Sequence, residues 1–315
     1  MMTILGMDSF FRAVVCFALL AVAATLDVAG ETLELRSNMV ATFPGGDYYY
    51  DAIYVDGTSK MLLSGETRFF VNGPVTINGR IEPDPSDGWD GQPGADGEDG
   101  IGLNPDYADC GRGANGVPGV AGENGHFLIS LYIRALGDVR VMGEINLSGG
   151  DGGHGGNGGQ GALGQWIEDA PLSCGGAIGT GGAGGCGGDG GNGGAGANLT
   201  IESAYHISMS STAIIDLGGG DGGTPGVGAN GGNATLQEST ALGGEGGNGG
   251  YGGDGGAGGE LLLRAGGCIH LDRSASIHLE GGEGGWLDTA ARTGGGSGTT
   301  ATVHTIGRGM NAEAG

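Results

Sequence analysis

Acidic side chains recur four residues after the leucine that closes each of three apolar stretches. They are Asp151, Asp221 and Glu283, and Asp87 lies at the end of a weaker fourth copy. If the copies stack at the spacing of neighbouring strands, about 4.8 Å, each carboxylate pair would repel by about 1 kcal/mol in water. Ca²⁺ readily takes oxygen ligands, so this column predicts a calcium site. The alternative is a set of solvated acids that keep the chain soluble.

No other group of residues has the spacing of an active site. The six histidines are scattered, and the sequence contains no HExxH, CxxC or GxSxG. Gly153-His154-Gly155 resembles the GHG of polygalacturonases, but their paired aspartates and Arg-x-Lys are absent. The sequence therefore predicts that the protein is not an enzyme and has no cofactor other than Ca²⁺.

Residues 1–30 have the pattern of a secretory signal peptide. Arg12 precedes an apolar run at 13–24, and the small residues Ala29 and Gly30 follow. This run is too short to span a bilayer comfortably. No later stretch is long and apolar enough to do so. We therefore expect an exported chain, extracellular or at the cell surface, without a membrane span.

The cysteines and the net charge limit the partners further. Four of the five cysteines follow the leader: Cys110, Cys174, Cys186 and Cys268. An even number in an oxidising compartment allows two disulfides. Cys110 with Cys174 is the favoured pair, because both precede a returning glycine tract, and free thiols are the alternative. The net charge of −24 argues against nucleic-acid partners, which require clusters of Lys and Arg.

Copies of one β pattern alternate with the glycine-rich tracts. The second and third copies superpose without gaps, so that Leu199, Ile207 and Ile215 correspond to Leu261, Ile269 and Ile277. Apolar residues lie two apart within each copy, which is the period of a strand. One copy cannot bury its apolar edge alone, whereas stacked copies share a core. The sequence predicts an all-β fold, a parallel β-solenoid.

Glycine recurs with a three-residue period in tracts that come in pairs between the copies. Examples of the 80 glycines are the runs at 149–161, 181–196 and 243–259. Three residues per turn is the period of polyproline II geometry. Each pair predicts a polyglycine-II hairpin inserted in the solenoid. The alternatives are flexible linkers and, for the Gly-X-Y runs around Pro93 and Pro118, collagen.

The GGxGG tracts resemble the glycine-rich repeats of mycobacterial PE-PGRS proteins. They are also similar to the polyglycine-II bundles of springtail antifreeze proteins and of some phage tail-fibre adhesins. The resemblance covers roughly residues 88–285 and concerns architecture, because the chain lacks a PE-type N-terminus. It implies packed glycine helices that display their remaining side chains.

Four segments follow from these patterns: a signal peptide at 1–30, an N-terminal capping coil with the first β rung at 31–82, the glycine-rich repeats at 83–285 and a flexible tail at 286–315. We expect a secreted structural or adhesive surface protein that binds surface or matrix polysaccharide or protein. A polysaccharide-active β-helix enzyme and an ice-binding protein are the alternatives. Trp166 and Ile167, in a loop between two tracts, are candidate contact residues.

Overall fold

The chain is nearly all β. A computed structural model describes residues 30–87, 90–126, 130–165, 167, 179–235, 243–285 and 303–307. The regular elements in these ranges are strands β1 to β18 and two 3₁₀ turns, Pro85–Asp87 and Pro105–Cys110. Over the same ranges, no helix has the length and apolar character needed to cross a membrane. The predicted signal peptide lies outside the described residues, apart from Gly30.

The strands form three six-stranded parallel sheets, and consecutive strands belong to sheets A, B and C in rotation. Sheet A contains β1 (Thr32–Leu35), β4 (Ala52–Val55), β7 (Val75–Ile77), β10 (Val139–Val141), β13 (Ile207–Met209) and β16 (Ile269–Leu271). Sheet B contains β2 (Val40–Phe43), β5 (Lys60–Leu63), β8 (Arg80–Pro83), β11 (Glu144–Asn146), β14 (Ile214–Asp216) and β17 (Ser276–His278). Sheet C contains β3 (Gly46–Tyr50), β6 (Thr67–Val71), β9 (Leu131–Ala135), β12 (Leu199–Ser203), β15 (Leu261–Ala265) and β18 (Val303–Gly307). Three consecutive strands, one from each sheet, are called a rung below.

Apolar residues at alternate positions of every sheet meet in one core. Val139 of sheet A, Ile145 of sheet B and Leu199 of sheet C are fully buried in a single hydrophobic cluster. Burial of one side chain of this size stabilises the folded chain by about 1.5–3 kcal/mol. Short strands with one apolar face therefore become stable only when the rungs stack.

The predicted register between the second and third copies is confirmed. Leu199 pairs with Leu261, Ile207 with Ile269, and Ile215 with Ile277. The three sheets place these pairs in three separate columns. Each copy thus supplies one strand to each sheet.

The prediction for residues 31–82 contains too few strands. It assigned one capping coil and one first rung to this segment, whereas β1 to β6 form two complete rungs and β7 and β8 begin a third. Neither complete rung carries a glycine tract, so the repeat is not visible there as a change in composition. The prediction for 286–315 needs one correction as well, because Val303–Gly307 forms β18 and pairs in parallel with β15. The rest of that segment lies outside the described residues.

A carboxylate fixes the turn between β1 and β2. Ser37 and Asn38 have positive φ angles of 56° and 65°. The carboxylate of Asp56 accepts the backbone N–H of Ser37 at 3.0 Å and that of Thr58 at 2.7 Å. These hydrogen bonds, together with the Thr58 hydroxyl, lower the pKa of Asp56 below its ordinary value. Asp56 thus links the turn to the second rung.

The lowered pKa of Asp56 predicts an acid-sensitive contribution to stability. A carboxyl with a depressed folded-state pKa stabilises the fold above its unfolded pKa, and the effect is lost as pH falls through the folded value. We expect the free energy of unfolding, measured with urea, to fall more between pH 6 and pH 3 in the wild type than in Asp56→Asn. Equal losses in the two proteins would contradict this role.

Candidate functional site

Glycine-rich segments leave sheet B and return to sheet C in rungs 3, 4 and 5. They are tract 1 (90–100), tract 2 (113–125), tract 3 (149–161), tract 4 (181–196), tract 5 (219–232) and tract 6 (243–259), with tract 7 (280–285) leaving rung 6. Together these tracts are called the glycine bundle. Odd-numbered tracts run away from the sheets, and even-numbered tracts run back.

Backbone hydrogen bonds at every third residue hold the tracts together. Outgoing tracts stack on outgoing tracts, and the Gly91 N–H donates to the Asp151 carbonyl at 2.7 Å. Returning tracts stack in the same way, and the Gly184 N–H donates to the Glu245 carbonyl at 2.8 Å. Antiparallel neighbours are joined too. Each inner tract is therefore bonded to tracts on several sides.

Glycine is required wherever another tract lies against the Cα. A Cβ on Gly156 would lie 2.0 Å from the carbonyl oxygen of Ala95, and one on Gly155 would lie 2.1 Å from that of Gly188. Because tract 3 has neighbouring tracts on two sides, two of every three of its residues are glycine. Tract 1 has fewer neighbours, and Ala95 is exposed there. The Gly-X-Y pattern that suggested collagen therefore marks the first layer of the bundle.

The third residue of each triplet carries its side chain on the surface, where short polar groups bind the next tract. Asn157 Oδ1 accepts the Val227 N–H at 3.1 Å, and Asp189 Oδ1 accepts the Tyr251 N–H at 2.8 Å. His154 Nδ1 accepts the backbone N–H of Thr224 at 3.3 Å. These positions thus form ladders that satisfy backbone N–H groups one layer away.

The predicted acidic column is one of these ladders. Asp151 Oδ1 accepts the Asp221 N–H at 2.8 Å, and Asp221 Oδ1 accepts the Glu283 N–H at 2.7 Å. Below them Asp90, rather than the predicted Asp87, accepts the Asp151 N–H at 3.0 Å. Asp87 instead closes the 3₁₀ turn Pro85–Asp87. Counting residues from the strand-ending leucines correctly grouped Asp151, Asp221 and Glu283. It missed Asp90, which lies 61 residues before Asp151, close to the separation of 62 residues between Asp221 and Glu283.

Hydrogen bonding gives this column a structural role that needs no metal ion. Each of its aspartates uses one oxygen to accept a backbone N–H, which offsets part of the repulsion between carboxylates. Among the described residues, no group of three or more His, Cys, Asp or Glu side chains has a geometry that could hold a metal ion. Calcium binding by Asp151, Asp221 and Glu283 therefore stays a prediction.

A substitution pair separates the ladder from the charge. In Asp151→Ala the Asp221 N–H loses its acceptor, and we expect the free energy of unfolding to fall by about 1 kcal/mol. Asp151→Asn keeps an Oδ1 acceptor and should unfold at nearly the wild-type urea concentration. If Asp151→Ala and Asp151→Asn lower the free energy of unfolding equally, the hydrogen bond to the Asp221 N–H does not contribute to stability.

The predicted disulfide is described at one end. Cys110 is buried and disulfide-bonded, whereas Cys186 and Cys268 are free and exposed. Cys174 lies outside the described residues, so its pairing with Cys110 stays a prediction. The second disulfide that an even number of cysteines allowed is not formed between Cys186 and Cys268. Trp166 also lies outside the described residues, and Ile167 is half-buried near Gly111.

The face of sheet A carries a groove of about 620 Å³, whose lining includes Asp138, Arg140, Tyr205 and His206. Asp138 Oδ1 accepts the His206 N–H at 3.2 Å, and Asp138 lies 3.8 Å from Arg140. Asp138 is the one carboxylate in the described lining. Most glycoside hydrolases use two carboxyl groups, and the described lining of this groove contains one.

Comparisons with known proteins give no family for this chain. No protein-family model, no curated protein and no solved structure matches it. The resemblance to PE-PGRS repeats and polyglycine-II bundles therefore stays at the level of architecture.

Proposed function

We propose that this chain is a secreted, non-enzymatic surface protein with a structural or adhesive role. In this proposal the three sheets form a parallel β-solenoid, and the glycine tracts are polyglycine-II hairpins that project from it. The rotation of strands among the sheets and the three-residue period of the tract hydrogen bonds support this architecture. The leader-like residues 1–30 support export.

The observation that carries the proposal is the regular display of side chains on a closely bonded bundle. Neighbouring exposed positions of a tract lie three residues apart, about 9 Å in this geometry, and adjacent tracts repeat them at about 4.8 Å. Asp221, Tyr251 and Asp254 are exposed positions of this kind. A rigid, repeating surface can engage a repeating ligand at several points at once, which raises affinity without any deep pocket.

The charge of the bundle suggests which ligands it would take. All seven tracts contain acidic residues and neither Lys nor Arg, within a chain of net charge −24. Nucleic acid would be repelled. Surface or matrix polysaccharide or protein is the partner class that we propose, and Ca²⁺ would bridge the carboxylates to acidic groups on that partner.

Co-sedimentation of the mature protein, residues 31–315, with intact producing cells or their isolated polysaccharide tests the proposal. The assay is run in Ca²⁺ and again with a chelator. We expect binding that the chelator weakens at least tenfold. The matched variant replaces Asp90, Asp151 and Asp221 together by Asn, which keeps an acceptor at each ladder position and removes three charges.

The outcomes separate the parts of the proposal. Loss of Ca²⁺-dependent binding in the triple variant, with unchanged thermal stability, would assign the cation to this column. Binding that is unchanged by the chelator and by the triple variant would support adhesion and exclude a role for Ca²⁺ in it. No binding in either condition would contradict the adhesive role. Thermal hysteresis or release of reducing sugars would instead favour the ice-binding or enzymatic alternatives.

A further inference from the structure

Tyr205 is an exposed aromatic residue on the turn between β12 and β13. The equivalent positions of the neighbouring rungs, two residues before the paired strand residues, are Gly137 and Gly267. No side chain at these positions covers either face of the Tyr205 ring, and Tyr205 is 60% exposed. A tyrosine has an apolar ring and a polar end, so an exposed one suits a ligand that is partly apolar and partly polar.

Buried hydrogen bonds fix the turn that carries Tyr205. The hydroxyl of the buried Ser203 donates to the Gly137 carbonyl at 2.7 Å and accepts the Tyr205 N–H at 3.0 Å. From the next rung, the Gly267 N–H donates to the Tyr205 carbonyl at 2.6 Å. The backbone of Tyr205 is therefore held in place before any ligand binds, which reduces the ordering cost of binding.

The groove on sheet A beside Tyr205 contains donors and acceptors that are available to a ligand. Asp138 Oδ1 accepts the His206 N–H at 3.2 Å, while Asp138 Oδ2 lies 3.8 Å from the Arg140 guanidinium, which is too far for a hydrogen bond. His206 Nδ1 accepts the Cys268 N–H at 3.0 Å, so in the neutral imidazole Nε2 carries the proton and can donate. Asp138 thus offers an acceptor, and His206 and Arg140 offer donors.

These groups select a neutral ligand rich in hydroxyl groups. Asp138 and Arg140 bring opposite charges to the groove, in a chain of net charge −24, so an anionic ligand would be repelled by Asp138 and by the chain as a whole. A hydroxyl group can donate to the carboxylate and accept from the guanidinium or the imidazole. A sugar ring combines such hydroxyls with an apolar face that fits against Tyr205. The volume of about 620 Å³ is in the range of small-ligand sites.

A second groove lies on the sheet C side of the same turn, so the ligand would extend beyond one sugar. Its volume is about 380 Å³. Its lining includes Glu202, which lies between Arg134 and Arg264 in the parallel register. Ala204 lines this second groove, and the next residue, Tyr205, lines the groove on sheet A. A chain of sugars that contacts Tyr205 would therefore continue into a groove that again contains one carboxylate and guanidinium groups.

We propose that the groove on sheet A binds a segment of neutral polysaccharide without Ca²⁺, with one sugar ring against Tyr205. The hydroxyl groups of that sugar bond to Asp138, Arg140 and His206. This inference rests on the proposed function, because it takes polysaccharide as the partner, but it places the contact on the sheets and not on the glycine bundle. The carboxylate of Asp138 serves in this site as a hydrogen-bond acceptor.

Isothermal titration calorimetry of the mature protein, residues 31–315, in the presence of a chelator tests the proposal. The probes are neutral hexasaccharides of glucose, xylose, mannose and N-acetylglucosamine, with hexagalacturonate as the acidic comparison. We expect at least one neutral hexasaccharide to bind at least tenfold more tightly than hexagalacturonate and than its own monosaccharide. Binding of none of the neutral probes, or equal or tighter binding of hexagalacturonate, would overturn the proposal.

Two variants assign the binding to this groove. Tyr205→Ala should weaken it at least tenfold and keep the wild-type thermal midpoint, because the side chain is exposed. Tyr251→Ala, at a tyrosine that is 63% exposed on the glycine bundle, is the matched control and should bind as the wild type does. Asp138→Asn keeps an acceptor for the His206 N–H and should weaken binding at least threefold. Wild-type affinity in Tyr205→Ala or in Asp138→Asn would contradict the site.

The calorimetry and the cell-binding assay can fail separately. Hexasaccharide binding without binding to cells would support this groove and contradict the adhesive role. Cell binding that Tyr205→Ala leaves unchanged, with no hexasaccharide bound, would overturn this groove and leave the proposed function standing.

Discussion

Replacing Gly188 by alanine is expected to disrupt the centre of the glycine bundle. A Cβ at this position would lie 2.1 Å from the carbonyl oxygen of Val120, while the Gly188 N–H donates to the Gly156 carbonyl at 2.8 Å. Relieving the overlap requires the tracts to separate by about 1 Å, which breaks hydrogen bonds on both sides. We expect the free energy of unfolding to fall by about 3–5 kcal/mol and the midpoint of thermal unfolding to fall by roughly 10 °C.

Gly246→Ala is the matched control, because its Cβ would lie 3.6 Å from the nearest atom. It is also a glycine of a triplet tract, so both changes remove similar backbone freedom from the unfolded chain. We expect this variant to unfold within about 0.5 kcal/mol of the wild type. If Gly188→Ala were equally harmless, the tracts would not be packed as described.

Phe69→Ala should produce a comparable loss in the three-sheet part of the molecule. Phe69 is fully buried, and its ring lies 5.1 Å from that of Phe43 and 5.6 Å from that of Tyr48. Truncation removes apolar contacts and leaves a cavity that short parallel strands cannot easily close. Such a change costs about 3–5 kcal/mol, to be measured by urea unfolding.

The neighbouring Phe70 supplies the comparison. Its side chain points to the outer face of sheet C, where its ring stacks 5.1 Å from that of Tyr49. Phe70→Ala should therefore cost about 1 kcal/mol. A cost as large as that of Phe69→Ala would mean that sheet C is not exposed on this face.

The sequence predicted the strands well where copies repeat with few changes. Apolar residues two apart, such as Leu199 and Ile201, specify which face is buried, and the gapless match to Leu261 and Leu263 specifies the register. Burial of one face makes a register shift costly, because a one-residue slip would expose every apolar side chain. The same argument failed for Thr32 to Val71, where the rungs carry no glycine tract to mark the repeat.

The roles of the surface residues could not be predicted from composition. Counting four residues from Leu147 and Leu217 finds Asp151 and Asp221. In the first layer the weaker fourth copy gave Asp87, whereas the aspartate that accepts the Asp151 N–H is Asp90. Which groups lie one layer away depends on the pairing of tracts about 60 to 70 residues apart. An aspartate that accepts a backbone N–H and an aspartate that binds a cation look the same in the sequence, so the sequence does not distinguish the two roles.

The number of glycines in each triplet could not be predicted from the three-residue period alone. The three-residue period predicted ordered hairpins, but the number of glycines per triplet follows from how many tracts surround each position. Gly94 is enclosed in the first layer, while Pro93 and Ala95 beside it are exposed. This dependence on neighbours appears only once the tracts are stacked.

Amide hydrogen exchange within the glycine tracts tests the central claim, that they form one rigid bundle able to display side chains at fixed spacing. We predict slow exchange for enclosed donors such as Gly156, Gly188 and Gly191, and fast exchange for Gly246, whose N–H has no acceptor among the described residues. Protection should follow the three-residue pattern of hydrogen bonds. Exchange at the rates of an unfolded chain throughout 149–161 and 181–196 would show that the tracts are flexible linkers and would contradict the account.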